Sequence, residues 1–294
     1  MNPSLNLKNL IIFFSLFILG SCLSPIQENN SLAIETSSGI AKGTLKRDVI
    51  SWEDIPYALP PEGDLRWRAP RPLIAPDQVI QSQEGNGCLQ EASIYAGIEG
   101  EGIVGQEDCL YLDLKAPFNN FNRRLPVMFW IHGGANTSGI KDYYDFSELI
   151  RRHQVLVVTI NYRLGPLGWF THPAIQGLQD GLDKTSNFGT LDMIEALKWV
   201  KKNIQNFGGD PNNITIFGES AGGHNVFSLL ASPLAEGLFH KAISQSGYIT
   251  SFTVEEAYGS DQDAIPKNKL ASDKVLSAHD FSGYESIKKL FHTN

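Results

Sequence analysis

Two kinds of hydrophobic spacing meet near residue 125. Beyond it, Val127-Met-Phe-Trp-Ile131 and Val155-Leu-Val-Val-Thr-Ile160 are continuous apolar runs of strand length, the pattern of strands buried on both faces. Leu191, Ile194, Leu197 and Val200–Ile204 recur at helical spacing up to Gly208-Gly209, which predicts a helix over 191–207. Ile214-Thr-Ile-Phe217 predicts another buried strand, Ala221–Leu230 a helix directly behind it, and Ala242–Ser246 a further strand. Strands separated by helical connections predict an α/β fold, a mostly parallel sheet with flanking helices.

Before residue 125 the pattern is shorter and more broken. Ile34 to Leu45 reads as a hairpin around Ser37-Ser38-Gly39 and Lys42-Gly43. Pro56, Pro60, Pro61, Pro70, Pro72 and Pro76 exclude a helix over 55–76, because each fixes φ and removes a donor. That stretch reads as ordered loop anchored by Trp52, Tyr57 and Trp67, and Gly97–Gly105 as a glycine-rich loop. At the start, Lys8 precedes the apolar run Leu10–Leu19, and Gly20-Ser21-Cys22 closes it. The run falls short of the about 20 residues a bilayer span needs, so residues 1–21 read as a secretory signal rather than a core helix or an anchor. Leu19 is a poor −3 residue for ordinary cleavage. Leu19-Gly20-Ser21-Cys22 instead resembles a bacterial lipobox, with Cys22 as the lipidated residue and 22–33 as a tether. The expectation is an exported lipoprotein on a membrane surface or in the periplasm, with plain secretion second.

Composition narrows the partners. With 42% hydrophobic and 19% charged residues the chain is ordinary globular protein. A net charge of −8, from 32 acidic against 24 basic residues, argues against a nucleic-acid partner. Lipidation of Cys22 would leave Cys88 and Cys109, an even pair for one disulfide in an oxidising compartment, against the alternative of two buried thiols. No His/Cys/Asp cluster has metal-ligand spacing, and the 97–105 loop lacks the Lys-Ser/Thr of a phosphate cradle. No cofactor is expected.

Gly218-Glu-Ser-Ala-Gly222 carries the chemistry. It fits the G-x-S-x-G elbow, whose glycines permit a strand-to-helix turn that lifts the serine hydroxyl clear of a sheet. Its place between a predicted strand and a predicted helix makes Ser220 the candidate nucleophile rather than a turn serine. His132-Gly-Gly-Ala135 follows the Val127–Ile131 strand and suits an oxyanion turn, with the N–H of Ala221 as a further donor.

Phe207-Gly-Gly-Asp-Pro-Asn-Asn-Ile-Thr-Ile-Phe-Gly-Glu-Ser-Ala-Gly222 resembles the serine signature of the type-B carboxylesterase/cholinesterase family, and Glu107-Asp-Cys-Leu-Tyr-Leu-Asp-Leu114 its second signature. Asn161-Tyr-Arg-Leu-Gly-Pro-Leu-Gly168 and Ile55–Trp67 are also family-like, so the resemblance runs from about Ile34 to Gly247. It implies the α/β-hydrolase fold and hydrolysis of small-molecule esters through an acyl-enzyme on Ser220. It further implies oxyanion donors at Gly134, Ala135 and Ala221, and a Cys88–Cys109 disulfide. Three departures stand out. Asn136 replaces an aromatic, suggesting a more polar acyl pocket; Lys115 replaces an apolar residue; and the 88–109 loop has no Trp, which disfavours a quaternary-ammonium site.

The triad order in this fold is serine, acid, histidine. Only 74 residues follow Ser220 (294 − 220), and the family's acid and histidine motifs lie further on. His240, His279 and His292 lack a recognisable base context, and His224 sits on the helix that the elbow serine faces away from. Trp130, Tyr162, Trp169 and Trp199 read as core aromatics, and Ser246 either as a serine orienting the acid or as a strand-end residue. The chain therefore reads as the N-terminal part of an esterase, truncated at its C-terminus. Two functions compete: a serine ester hydrolase, and a non-catalytic binding module or inactive fragment.

Overall fold

The computed structural model describes residues 32–82, 86–118, 121 and 123–251; the signal segment, Cys22, most of the tether, His279 and His292 lie outside them. A small hairpin comes first, β1 (Ala33–Thr36) against β2 (Gly39–Lys42), turned at Ser37-Ser38 as the pattern predicts. The main sheet has seven strands: β3 (Thr44–Lys46), β4 (Val49–Pro56), β7 (Tyr111–Pro117), β8 (Leu125–Ile131), β9 (Leu156–Ile160), β10 (Gly209–Glu219) and β11 (Lys241–Gln245). Their order is β11-β10-β8-β9-β7-β4-β3. The β9, β8, β10 and β11 neighbours pair in parallel, while β3–β4, β4–β7 and β7–β9 are antiparallel. Five of the seven strands thus point one way, with β3 and β7 reversed. The sheet is mostly parallel, and the half that carries the serine is entirely so.

Connections explain that division. β8 reaches β9 through α1 (Ser147–His153). β9 reaches β10 through α2 (Gly165–Gly168), α3 (Pro173–Gln176) and the long α4 (Phe188–Asn203), and β10 reaches β11 through α5 (Ala221–Ala231). Parallel neighbours need such crossovers, whereas β3 and β4 are joined by a tight turn. The continuous apolar runs are buried on both faces: Val127, Phe129, Ile131, Val158, Ile160, Ile214 and Ile216 on one side, and Trp130, Val157 and Phe217 on the other. Helix α4 contributes Met193, Ile194, Leu197 and Val200 to the same core, then tightens into a 3₁₀ turn that stops at Gly208 with φ 83°. Trp52, Tyr57 and Trp67 are buried and anchor the proline-rich stretch.

The 97–105 segment differs from its expectation. Ile98–Val104 is a strand, β6, pairing antiparallel with β5 (Gln90–Ser93). Gly100 and Gly102 at φ 115° and 70° conceal it from a propensity reading. The ribbon lies inside the ring closed by a Cys88–Cys109 disulfide, the pairing that the resemblance implied.

Candidate active site

The β8–β10 register decides where the chemistry sits. Ile131 pairs with Gly218 at the C-terminal ends of two parallel neighbours, so the chain leaves both strands side by side. From β8 it enters His132-Gly-Gly-Ala135, and from β10 it enters Glu219-Ser220. The crevice beyond the carboxyl ends of parallel strands is where sheets of this kind bind ligands.

Ser220 adopts φ 57° and ψ −118°, a sparsely populated conformation for any residue with a Cβ. The flanking glycines make that turn fit. A Cβ on Gly218 would stand 2.6 Å from the Gly222 backbone, and one on Gly222 would stand 2.1 Å from the Ile131 carbonyl. Strand, elbow and helix therefore meet at backbone distance. The Ser220 N–H donates to the Gln245 carbonyl at 2.9 Å, tying the elbow to the end of β11. Ala221 opens α5, and a first helical residue has no intrahelical acceptor for its N–H.

Across from the elbow, a Cβ on Gly133 would lie 2.8 Å from the Glu219 carbonyl and 3.3 Å from the Ser220 Cβ. Gly134, Ala135 and Asn136 follow with φ of 95°, 56° and 58°. The Gly134 carbonyl accepts from the N–H groups of Thr137 and Ser138 at 3.0 Å each. The amides of Gly134 and Ala135 have no acceptor among the described residues. Free backbone donors on a turn that touches the serine are what stabilisation of an oxyanion needs.

Buried groups hold this turn in place, and sequence spacing gave no sign of them. The Tyr162 hydroxyl donates to the His132 carbonyl at 2.7 Å. Gln90 grips Gly139 from both ends of its amide, donating to the carbonyl at 3.0 Å and accepting the N–H at 2.7 Å. Asn136 turns its side-chain oxygen toward Asn225 of α5 at 2.8 Å. Just beyond, the Lys141 ammonium contacts Asp54, Asp113 and Asp142 at 3.0, 2.9 and 2.8 Å. Arg163 makes a buried two-point pair with Asp192 of α4. The residues of these groups come from segments far apart in the chain.

The histidines near the site are engaged elsewhere. His132 is fully buried and stacks on Tyr162 at 4.3 Å. Burial drives its imidazole pKa down to about 4, against the opposing hydrogen bond to the Gly133 carbonyl, so it is neutral at pH 7. His224 stacks on Tyr248 at 4.5 Å and bonds the Tyr248 carbonyl at 2.8 Å. His240 accepts from the Ile214 N–H at 3.1 Å, and Ser246 is exposed at the end of β11. Trp130, Tyr162 and Trp199 are buried, as the sequence suggested, and the partly buried Trp169 meets the Tyr162 ring edge-on at 6.2 Å. No group of metal-ligating side chains occurs among the described residues.

A parallel α/β sheet with a strained serine elbow facing a glycine turn defines an α/β-hydrolase. The known proteins that resemble it agree. Residues 30–268 match the Carboxylesterase family, and the chain belongs to that family. It is 44% identical over 227 residues to the para-nitrobenzyl esterase of Bacillus subtilis (strain 168), covering 76% of this chain and 45% of that protein. It is 42% identical over 246 residues to the fumonisin B1 esterase of Sphingopyxis macrogoltabida, covering 78% and 43%. The structure matches a thermophilic PNB esterase with a TM-score of 0.75 at 37% identity, over 89% of this chain and 51% of that one. A carboxylesterase of Geobacillus stearothermophilus matches at 0.63 and 38% identity, over 72% and 42%. The chain thus spans less than half the length of these two curated relatives.

Proposed function

We propose that the protein hydrolyses small-molecule carboxylic esters through an acyl-enzyme on Ser220. Its hydroxyl attacks the ester carbonyl. The developing oxyanion is held by the N–H groups of Gly134, Ala135 and Ala221. The intermediate collapses with cleavage of the ester C–O bond, and the alcohol leaves with the proton taken from Ser220. Water then attacks the acyl-serine to release the acid and restore the hydroxyl. The observation that carries this reading is the close approach of the two turns: Gly133 leaves no room for a side chain between itself, the Glu219 carbonyl and the Cβ of the strained serine. Proton transfer needs a base within hydrogen-bonding reach of the hydroxyl. His132 is buried and His224 is held by Tyr248, so we assign the base and its carboxylate partner to residues outside 32–251. We further propose that lipidated Cys22 holds the protein at a membrane surface.

Labelling with a fluorophosphonate, together with turnover of p-nitrophenyl acetate, tests the reading. The expected result is a single adduct at Ser220 and loss of both signals in Ser220→Ala. Turnover that survives Ser220→Ala overturns it. Saturable ester binding with neither adduct nor turnover in the complete gene product establishes the binding-module alternative instead.

A further inference from the structure

Asn136 and Asn225 lie 89 positions apart, yet their side chains meet: the Asn225 amide donates to Asn136 Oδ1 at 2.8 Å. The Tyr162 hydroxyl closes the group, donating to the His132 carbonyl at 2.7 Å and standing 3.4 Å from Asn136 Oδ1. Asn225 is 1% exposed and Tyr162 fully buried. The Asn136 carbonyl is held from another side by the Gly165 N–H at 2.7 Å. Its φ of 58° belongs to the left-handed region that Asn adopts more readily than most residues.

We propose that the Asn136–Asn225 pair is a positioning device that sets the spacing between the two halves of the oxyanion hole. The inference rests on the ester-hydrolase reading. One half, the amides of Gly134 and Ala135, rides on the turn that continues into Asn136. The other half, the amide of Ala221, opens α5, and Asn225 lies one turn further along that helix. Along the chain the halves are joined only by a long path through β9, α4 and β10, and the β8–β10 ladder fixes the two strands only as far as Ile131 and Gly218. Beyond the strand ends the side-chain bond joins them directly, and Asn225 is buried, so its amide finds little water if the bond breaks. Neither asparagine touches the reacting atoms; each acts by holding donors in place. Misplacing a catalytic group by about 1 Å costs up to roughly 10²-fold in rate.

The test uses the complete gene product carrying Asn225→Leu, Asn136→Gly and both together. Leucine keeps the volume and helix preference of the site, and the turn variant serves if the helix variant fails to fold. Expected are a kcat on p-nitrophenyl acetate lowered roughly tenfold, with KM changed by less than about twofold. Affinity for a trifluoromethyl ketone, which forms the tetrahedral adduct, falls in step with kcat/KM. The double variant is no slower than the worse single one, because both delete the same contact. Hydrogen exchange of the 132–138 amides speeds up in every variant. An effect on KM alone, additive rate losses, or unchanged exchange overturns the proposal. Absence of Ser220-dependent turnover in the unsubstituted protein strikes the ester reading and the catalytic role of the pair with it. The exchange measurement then still decides whether the tie between turn and helix exists.

Discussion

Gly133 has no room for a side chain beside Ser220: a methyl group on it would stand 3.3 Å from the serine Cβ and 2.8 Å from the Glu219 carbonyl just before it. The second distance involves backbone, which cannot swing aside as a flexible side chain would. Gly133→Ala must therefore push the glycine turn and the elbow apart. We expect a stability loss of about 1–3 kcal/mol and fluorophosphonate labelling of Ser220 slowed at least roughly tenfold. Thermal melts and labelling rates check both. Normal labelling in a folded Gly133→Ala protein would show that the turns do not work as a unit.

The elbow stores strain that a glycine would release. Ser220 holds φ 57° with ψ −118°, and conformations of this sort cost on the order of 1–3 kcal/mol for a residue with a Cβ. Ser220→Ala keeps the Cβ and the strain, while Ser220→Gly relieves it and gives back less than about 1 kcal/mol in unfolded-chain entropy. Both variants lose the proposed nucleophile. Ser220→Gly is expected to melt a few degrees above Ser220→Ala, by calorimetry. The reverse order would show that the elbow is unstrained.

The Cys88–Cys109 ring spans a sequence separation of 21, which in the chain-entropy model corresponds to about 3 kcal/mol of stabilisation. It also frames Gln90, which donates to the Cys88 carbonyl at 2.9 Å while gripping Gly139. Reduction, or Cys88→Ser with Cys109→Ser, is expected to lower the unfolding free energy by about that amount. Thiol titration of the unreduced folded protein is expected to find neither cysteine free. Two titratable thiols there would contradict the structure.

The sequence made the parallel half of the sheet legible because β8, β9 and β10 are buried on both faces and so read as unbroken apolar runs. The elbow was legible because Gly218 and Gly222 are demanded by backbone contacts under 3 Å, which leaves a trace in residue identity. Strand β6 was not, since two of its seven positions are glycine and most of it is exposed. Asn136 was recognised as unusual and read as a sign of a polar acyl pocket; that its oxygen faces Asn225 could not be known, because no periodicity links a turn residue to a helix residue 89 positions away. The ions around Lys141 were equally hidden. Asp54 lies on β4, Asp113 on β7 and Lys141 in the loop after the glycine turn, and only strand pairing between β4 and β7 brings the first two together.

Cys22 and the segment before it lie outside the described residues, and the proposed lipid anchor has its own test. An acylated Cys22 adds about 0.8 kcal/mol of membrane affinity per buried methylene. Cys22→Ser is expected to move the protein from the detergent phase to the aqueous phase, or to leave it unprocessed. Equal partitioning of variant and parent in a detergent phase separation would end the lipoprotein reading.

The Lys141 cluster makes the stability of the fold depend on pH. Lys141 is 1% exposed, and burial would lower its pKa, but Asp113, Asp142 and Asp54 together outweigh that and raise it. Burial pushes the Asp113 carboxyl well above the usual carboxylate value despite Lys141. Asp54 is held below 3.8: burial opposes this, but Lys141, Ser82 and Asn86 prevail. Asp142 is lowered too, its bond to Asp113 and the charge of Lys141 overcoming burial. The lowered pair, Asp54 and Asp142, contributes stability that is present above 3.8 and lost as pH falls through the folded values. Asp113 works the other way: what it contributes in its protonated form is lost as pH rises through its raised value. The Lys141 contribution is lost only above 10.5, on the alkaline side. Lys141→Met removes the cation and leaves three carboxylates facing one another, so each resists ionisation. The stability loss should therefore grow with pH, reaching about 3–5 kcal/mol at pH 8 and less at pH 5. Asp113→Asn keeps the shape, takes one carboxyl group out of the cluster, and should cost much less at pH 8. Urea melts at the two pH values decide the matter. A loss in Lys141→Met that does not change with pH, or an Asp113→Asn loss as large, would mean that packing rather than charge holds the stem of the glycine turn.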